Sequence, residues 1–443
     1  FTFICIPHPN TIHMKTLFII LNIFLFTFQI SAQPLQRVAP EQVGMNSRHL
    51  TYADQAIEKA INNKDIPGAV LAVVRHGKLA YLKAYGCKQT FPTREPMDTH
   101  TVFDMASVSK SISTAICTLI LTERGQLRLT DPVNLYLPAF SEEIRITDLL
   151  THTSGLPAYA PVNKLVEQYG SPNPEGLIEY IAGCKPVFKP GSDFQYSCLN
   201  YIVLQHIIET ISGQSLRNFA KANIFDPLGM SHTDYCPTGE ILEHCAPTEK
   251  QKDGSVLKGV VHDPLARIMN GGISGNAGVF SDANDLAILS AMLLNDGEYN
   301  GHRILSPLGV KAMRSIPRQV SALGRNLGWD IFSPYASNHG DLFGPNTYGH
   351  TGYTGTSIIL DPDSDTSVIL LTNSVHPDDK GKAIRLRSLV ANAVAASTLP
   401  NAPIQTIITN VSFSSKKNRL SARKTSSCWA IVSQKPEKTG GPA

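Results

Sequence analysis

Ser107-Val108-Ser109-Lys110-Ser111-Ile112-Ser113-Thr114-Ala115-Ile116-Cys117-Thr118-Leu119-Ile120 sets a serine and a lysine three residues apart at the head of an apolar run. Apolar or small residues recur at Val108, Ile112, Ala115, Ile116, Leu119 and Ile120, one face of an α-helical period, and Gly125 stands where that helix would stop. Residues three apart on a helical turn are neighbours. The spacing therefore puts a hydroxyl beside an amine able to take its proton. The helix N-terminus also favours the negative charge of an alkoxide or oxyanion. This predicts covalent acyl transfer by serine, with no histidine as the base. Ser255, Ser414 and Ser421 also have a lysine three positions later, but the first lies in a Gly- and Lys-containing loop and the others in a basic C-terminal tract. None of those three has a helix to fix the geometry.

The rest of the chain must supply a second proton carrier, donors for the oxyanion and a wall to orient the substrate. In Phe194-Gln195-Tyr196-Ser197-Cys198-Leu199-Asn200-Tyr201 a tyrosine stands where a loop enters a helix. Its phenol, ordinarily of pKa about 10, is expected to be lowered beside a lysine ammonium and to shuttle protons. Further on, Gly349-His350-Thr351-Gly352-Tyr353-Thr354-Gly355 precedes a strand pattern, and its glycines let a substrate lie along the strand edge. The Tyr353 amide is the candidate partner of the Ser107 amide in an oxyanion hole.

These segments resemble the serine β-lactamase-like superfamily, in the class C branch that takes in class C β-lactamases, low-molecular-weight penicillin-binding proteins and related esterases. The matching pattern is Ser-x-x-Lys at Ser107/Lys110, the tyrosine motif at Tyr196, and Lys/His-Thr-Gly at His350-Thr351-Gly352. Accessory matches are Phe103-Asp104-Met105-Ala106, Leu149-Leu150-Thr151-His152-Thr153-Ser154-Gly155-Leu156, Pro190-Gly191, Pro227-Leu228-Gly229-Met230 and the stretch from Val261-His262-Asp263 to Ser281. The resemblance covers roughly residues 35–398. It implies Ser107, Lys110 and Tyr196 as catalytic residues, with Tyr353, His350, Thr351, Gly352 and Cys198 at the oxyanion and substrate sites. It implies no metal or organic cofactor.

Two positions depart from the branch. Cys198 stands two residues after the tyrosine, where the family carries an asparagine that hydrogen-bonds a substrate amide. A thiol is a weak donor and acceptor. His350 stands where class C β-lactamases have lysine. A histidine of unperturbed pKa about 6.5 is mostly neutral at pH 7 and attracts a carboxylate less. The first weakens recognition of an amide-flanked substrate; the second argues against an efficient β-lactamase, not against catalysis.

The organisation agrees with the fold this implies. Ala69–Val74 and Leu79–Tyr85 flank a His76-Gly77-Lys78 turn, and Thr356–Leu360 and Thr366–Thr372 flank an Asp/Pro-rich one, giving a hairpin near each end. Helical periods fill the interval at Ser109–Glu123, Ile146–Leu150, Gly176–Ala182, Leu199–Ile211, Leu216–Asn223 and Asp282–Asn295, and Lys380–Ser397 closes the chain's periodic part. The expected fold is α/β (α+β): an antiparallel sheet from the N- and C-terminal segments, flanked by helices, with an inserted all-helical region over roughly 105–320. The hydrolase domain is expected over 33–400, and 401–443 is expected to be a disordered basic tail.

Composition narrows the function further. The 443 residues carry a formal net charge of +3, and the tail's seven basic residues against one acidic leave the body mildly acidic, which gives no reason to expect nucleic acid. One lysine at 15, the apolar run Leu17–Phe28 and Ile30-Ser31-Ala32-Gln33 have the form of a secretory signal that starts near Met14. Residues 1–13 then read as upstream translation, and a mature periplasmic or secreted protein starts near Gln33. That run is too short to span a bilayer. Eight cysteines are too few for a disulfide framework in a chain of this length, and pairing of Cys236 with Cys245 stays open. No Cys-x-x-Cys or His-x-His cluster points to metal. The expectation is a monomeric serine hydrolase acting on peptide or ester substrates of D-Ala-D-Ala carboxypeptidase or esterase type. A class C-type β-lactamase is the alternative within the class, and a non-catalytic penicillin binder or sensor is the alternative outside it.

Overall fold

The computed structural model describes residues 34–399, apart from 318–322, 324, 332 and 334–337. The expected signal segment and the basic tail lie outside the described residues.

In chain order the elements that place the site are helix α1 (Ser47–Asn62), strands β1 (Gly68–Arg75), β2 (Lys78–Gln89), β3 (Glu95–Pro96) and β4 (Phe103–Asp104), and helix α2 (Ile116–Glu123), preceded by a π-helical stretch at Lys110–Ala115. Next come α3 (Ile146–Leu150), α4 (Cys198–Ser212), β5 (Asp234–Tyr235), β6 (Val279–Ser281) and α5 (Ala283–Leu294). A ribbon of β7 (Glu298–Tyr299) and β8 (His302–Arg303) follows, then β9 (Tyr348–Thr351), β10 (Ser357–Asp361), β11 (Thr366–Leu371) and α6 (Ala383–Ser397).

The main sheet has the order β3-β2-β1-β11-β10-β9, so strands from both ends of the chain meet at its centre, where β1 and β11 pair antiparallel with Ala72 opposite Ile369. β1 is buried along its whole length. Its apolar run hides a strand period of two: Val70, Ala72 and Val74 face one core, while Ala69, Leu71 and Val73 face another. The second core is closed by Leu50, Ala53 and Ile57 of α1 and Leu386, Val390 and Val394 of α6. The first lies against α5 and the helical region, with Leu286, Leu289 and Leu293 beside Leu199, Ile202 and Ile116. This is the mixed α/β architecture the sequence predicts.

The helical interval also carries strand: β4, β6 and β5 form a three-stranded antiparallel sheet with β6 in the middle. Runs of two or three residues are too short to show a period, so they read as loop in the sequence. The expected helices at Ile146–Leu150 and around 199–211 are present, the second as Cys198–Ser212. The helix expected over 216–223 is α-helical at Leu216–Ala220 and π-helical at Lys221–Phe225. Helix α1 gave no clear signal because only Leu50, Ala53, Ile57 and Ala60 of its residues are buried, one thin stripe on an otherwise polar surface. No helix among the described residues is long and apolar enough to cross a membrane. The six described cysteines, Cys236 and Cys245 included, are free thiols.

Candidate active site

The nucleophile candidate is mounted on a strained turn. β4 ends at Asp104, and Ala106 then takes a left-handed backbone (φ 45°), unusual for a residue with a side chain. The Asp104 carboxylate holds the turn, accepting from the Ala106 amide at 2.8 Å and from the His262 amide at 2.7 Å. Burial nevertheless raises the pKa of this carboxyl above its ordinary value. Ser107 follows half-buried, and the chain enters the π-helical stretch that carries Lys110. Wide π turns cluster at functional sites. Gly125, at φ 68°, ends the helix in the left-handed conformation that only glycine adopts freely.

Lys110 is completely buried, and its Nζ meets three acceptors: Ser107 Oγ at 2.9 Å, the Asn276 carbonyl at 2.8 Å and Cys198 Sγ at 3.6 Å. An ammonium has three N–H donors, so these contacts use its full capacity. When the amine is neutral, two N–H groups can stay on Asn276 and Cys198 while the lone pair faces the serine.

Tyr196 caps the site from the loop before α4. Its ring lies 5.1 Å from Lys110 Nζ and packs, tilted, on His152 at 4.3 Å, and its hydroxyl is enclosed beside Ser107. The sequence-based expectation of a lowered phenol pKa is reversed here. Burial and the neighbouring Cys198 push it well up, against the smaller opposing pull of the Ser107 hydrogen bond and Arg325. Tyr196 is accordingly a proton holder, not a ready phenolate.

The wall is the edge of β9. Gly352 is required by close approach: an added Cβ would stand 2.5 Å from the Met105 carbonyl and 2.2 Å from Thr356 Oγ1. Thr354 Oγ1 donates to the Asp104 carbonyl (2.8 Å) and Thr356 Oγ1 to the Met105 carbonyl (3.1 Å), docking this loop on the segment that leads to Ser107. Arg387 of α6 donates to the Gly352 carbonyl at 2.7 Å from behind, its pKa brought down to about 10 by burial. Among the described residues neither the Ser107 nor the Tyr353 amide donates to a backbone carbonyl. The Tyr353 side chain points away, 67% exposed, stacking on His262 and donating to Asp379 at 3.0 Å. Thr351, half-buried at the end of β9, pairs with Ser357 of β10.

His350 is buried on the same strand with Nδ1 2.9 Å from the Thr351 carbonyl, which places its proton on Nδ1. Its Nε2 has no hydrogen-bond partner among the described residues, so it presents a lone pair. Burial, then Arg325 and Lys110, hold its pKa well below the ordinary value. The ring is an acceptor where class C β-lactamases place a cation.

Three residues that carry the arrangement were given no site role in the sequence. His152, in the left-handed region (φ 60°), accepts the Ser197 amide on Nδ1 at 3.0 Å and backs the Tyr196 ring. Asn276 links the Lys110 carbonyl contact to Asp263, whose Oδ1 accepts from its Nδ2 at 3.2 Å. Arg325 lies over the faces of Phe194 (5.6 Å) and Tyr196 (5.5 Å) and pairs with Asp330 at 3.4 Å. A lone arginine before a loop has no local pattern, but the Leu-Thr-His-Thr-Ser-Gly run was available as a signal for His152. Asn200, the nearest asparagine to position 198, accepts from Ser154 in a buried network and does not enter the site.

A family model described as Beta-lactamase matches residues 53–392. The chain belongs to the Beta-lactamase family. This Beta-lactamase-family serine hydrolase is 32% identical over 412 residues to an N-acetylmuramyl-L-alanine amidase of Bacillus subtilis (strain 168), covering 82% of this chain and 91% of that one. It is 29% identical over 400 residues to a protein of Escherichia coli (strain K12) whose name provisionally reads D-alanyl-D-alanine carboxypeptidase, covering 82% and 92%. Among solved structures, EstCE1, a hydrolase with promiscuous acyltransferase activity, superposes with TM-score 0.63 at 24% identity over 79% of this chain and 99% of that one. A class C β-lactamase from Rhodobacter sphaeroides does so with TM-score 0.61 at 21% identity, covering 78% and 99%.

Proposed function

We propose that this protein is a periplasmic or secreted serine hydrolase that forms an acyl-enzyme on Ser107 and acts on peptides or esters of the D-Ala-D-Ala carboxypeptidase and esterase type. The observation that carries the reading is the Lys110 Nζ held 2.9 Å from Ser107 Oγ by two further acceptors. Ser107 attacks the carbonyl and Lys110 takes its proton. The Ser107 and Tyr353 amides hold the oxyanion. Tyr196, kept protonated by its raised pKa, relays a proton to the leaving group as it takes one from the Lys110 ammonium, and water then releases the acyl group. Thr351, Gly352 and His350 line the substrate side. The lone pair of His350 suits a substrate donor, and Arg325 brings positive charge to the same wall. The names of the amidase and carboxypeptidase relatives support a cell-wall peptide or its ester as substrate, and the segment 14–32 supports export.

Labelling with a fluorophosphonate or penicillin probe and peptide mass mapping tests the nucleophile: the adduct is expected on Ser107. An unlabelled protein, or a label elsewhere, overturns the reading. Turnover of a D-Ala-D-Ala peptide, p-nitrophenyl acetate and nitrocefin, measured side by side, ranks the substrate classes, with nitrocefin expected last.

A further inference from the structure

Away from the Ser107 cleft, three segments distant in sequence bring two imidazoles and a carboxylate to one point. One ligand atom from each of His100, His232 and Asp282 lies within 4.8 Å of the other two. The scaffold is the small sheet: His100 precedes β4, His232 precedes β5, and Asp282 directly follows β6 as the N-cap of α5. Asp282 is fully buried. Its Oδ1 accepts the Asp285 amide at 2.8 Å, while Oδ2 faces His232 Nδ1 at 3.1 Å and accepts a longer contact from Asn284 Nδ2 at 3.4 Å. The His232 backbone is pinned from behind, its amide donating to Asp285 Oδ2 at 2.8 Å. Asn284 Nδ2 donates to the Thr99 carbonyl at 3.1 Å and ties the loop of His100 to the same helix. A further imidazole, His244, has its ring 6.1 Å from that of His232.

An ion pair between His232 and Asp282 would explain two of these groups. It does not explain His100, whose exposed ring makes no hydrogen bond among the described residues and meets the His232 ring edge-on with centroids 6.3 Å apart. Metal ligation accounts for all three. With metal–nitrogen and metal–oxygen bonds of about 2.1 Å, ligands on adjacent tetrahedral corners stand about 3.4 Å apart. The His232–Asp282 spacing already matches, and His100, on the surface, closes by side-chain rotation. Two imidazoles with one carboxylate suit a borderline divalent ion such as zinc and do not suit magnesium or calcium, which take oxygen ligands.

We propose that His100, His232 and Asp282 form a binding site for a divalent transition-metal ion of the zinc class, a staple across the end of the β4-β6-β5 sheet. The ion would join the segments entering β4 and β5 to the one leaving β6, and so steady the strand that leads to Ser107. It takes no part in the chemistry.

The experiment is titration of the full chain, stripped with a chelator, with Zn2+ by calorimetry and with Co2+ by visible absorption, together with thermal unfolding with and without Zn2+. One equivalent is expected to bind, to raise Tm, and to give Co2+ the intense visible bands of a low-coordinate site. Loss of a supporting group costs metal sites about 10–100-fold in affinity, so removal of a ligand in His100→Ala is expected to weaken binding by roughly 100-fold or more. His100 is exposed, so this variant keeps the fold; His232→Asn, expected to give the same loss, serves as a second probe. Absence of saturable binding in the wild type, or unchanged affinity in His100→Ala, overturns the site. Loss of ester turnover on chelation, at a temperature where the stripped chain is still folded and still labelled on Ser107 by a fluorophosphonate, overturns the non-catalytic role assigned to the ion.

Discussion

The Sγ of Cys198 lies 3.6 Å from the Nζ of Lys110, so the thiol belongs to the catalytic contact set. The family resemblance puts at this position an asparagine that hydrogen-bonds a substrate amide. A half-buried thiol, its pKa raised by desolvation, gives the lysine a weak acceptor and gives a substrate amide little.

Cys198→Asn is therefore expected to shift preference toward amide-flanked substrates. The ratio of kcat/KM for a D-Ala-D-Ala peptide to that for p-nitrophenyl acetate rises by about tenfold, the worth of one added net hydrogen bond. Acylation of Ser107 by a fluorophosphonate stays intact. Loss of labelling would show that residue 198 supports the base and does not select the substrate.

The division of labour between the two proton carriers is separable by leaving group. Lys110→Ala is expected to lower acylation by about 10²–10⁴-fold for every substrate, the usual worth of general-base catalysis. Tyr196→Phe should cost far less with p-nitrophenyl acetate, whose leaving group needs no proton, than with a peptide, whose amine does. Equal losses on both substrates in Tyr196→Phe would make the phenol the base. Pre-steady-state burst kinetics read the acylation step directly.

His152 and His350 are buried neutral, each with its pKa driven well below 6.5 by desolvation and by Arg325 and Lys110. The unfolded chain takes up protons there below about pH 6.5 and the native state does not, so stability falls as pH drops through that value. His206, His339 and His376 act in the same direction. Asp104 and Asp148, with raised pKa values, act oppositely in the range just above pH 4. Removal of one histidine in His350→Gln is expected to flatten the slope of unfolding free energy between pH 6.5 and 5 by up to about 1.4 kcal/mol per pH unit. Urea unfolding across that range checks it; an unchanged slope contradicts it.

Gly352→Ala places a methyl against the Met105 carbonyl and within 3.3 Å of the Ala106 Cβ. Overpacking of this kind costs about 1–3 kcal/mol. The strand must move away from Ser107, so acylation is expected to fall more than tenfold for esters and peptides alike, while Tm falls by only a few degrees. Thermal unfolding and burst kinetics on the same preparation distinguish this from general unfolding.

The sequence showed the hairpins at both ends because β1 and β11 are long apolar runs bounded by turns, and it showed Ser107 and Lys110 because a helix fixes their spacing. Tyr196 and the 350–352 segment became legible only through their order along the chain. The missing pieces share one physical cause. Arg325, Asn276 and the His100/His232/Asp282 group act through contacts between segments far apart in sequence, and no local period announces a residue that matters only for what folds against it. The raised phenol of Tyr196 was misjudged because a sequence shows the neighbouring lysine but not the burial that outweighs it.

The pairing of β1 with β11 also sets a timetable. A ribosome that has passed residue 300 has already delivered the serine, the amine and the phenol, yet the central seam of the sheet has no mate and the wall at Gly352 has not been made. Reactive groups thus emerge from synthesis long before they can be poised, and the last strands act as the arming step. Truncation between residue 300 and β11 leaves Ser107, Lys110 and Tyr196 in the chain and the hydrolase inert.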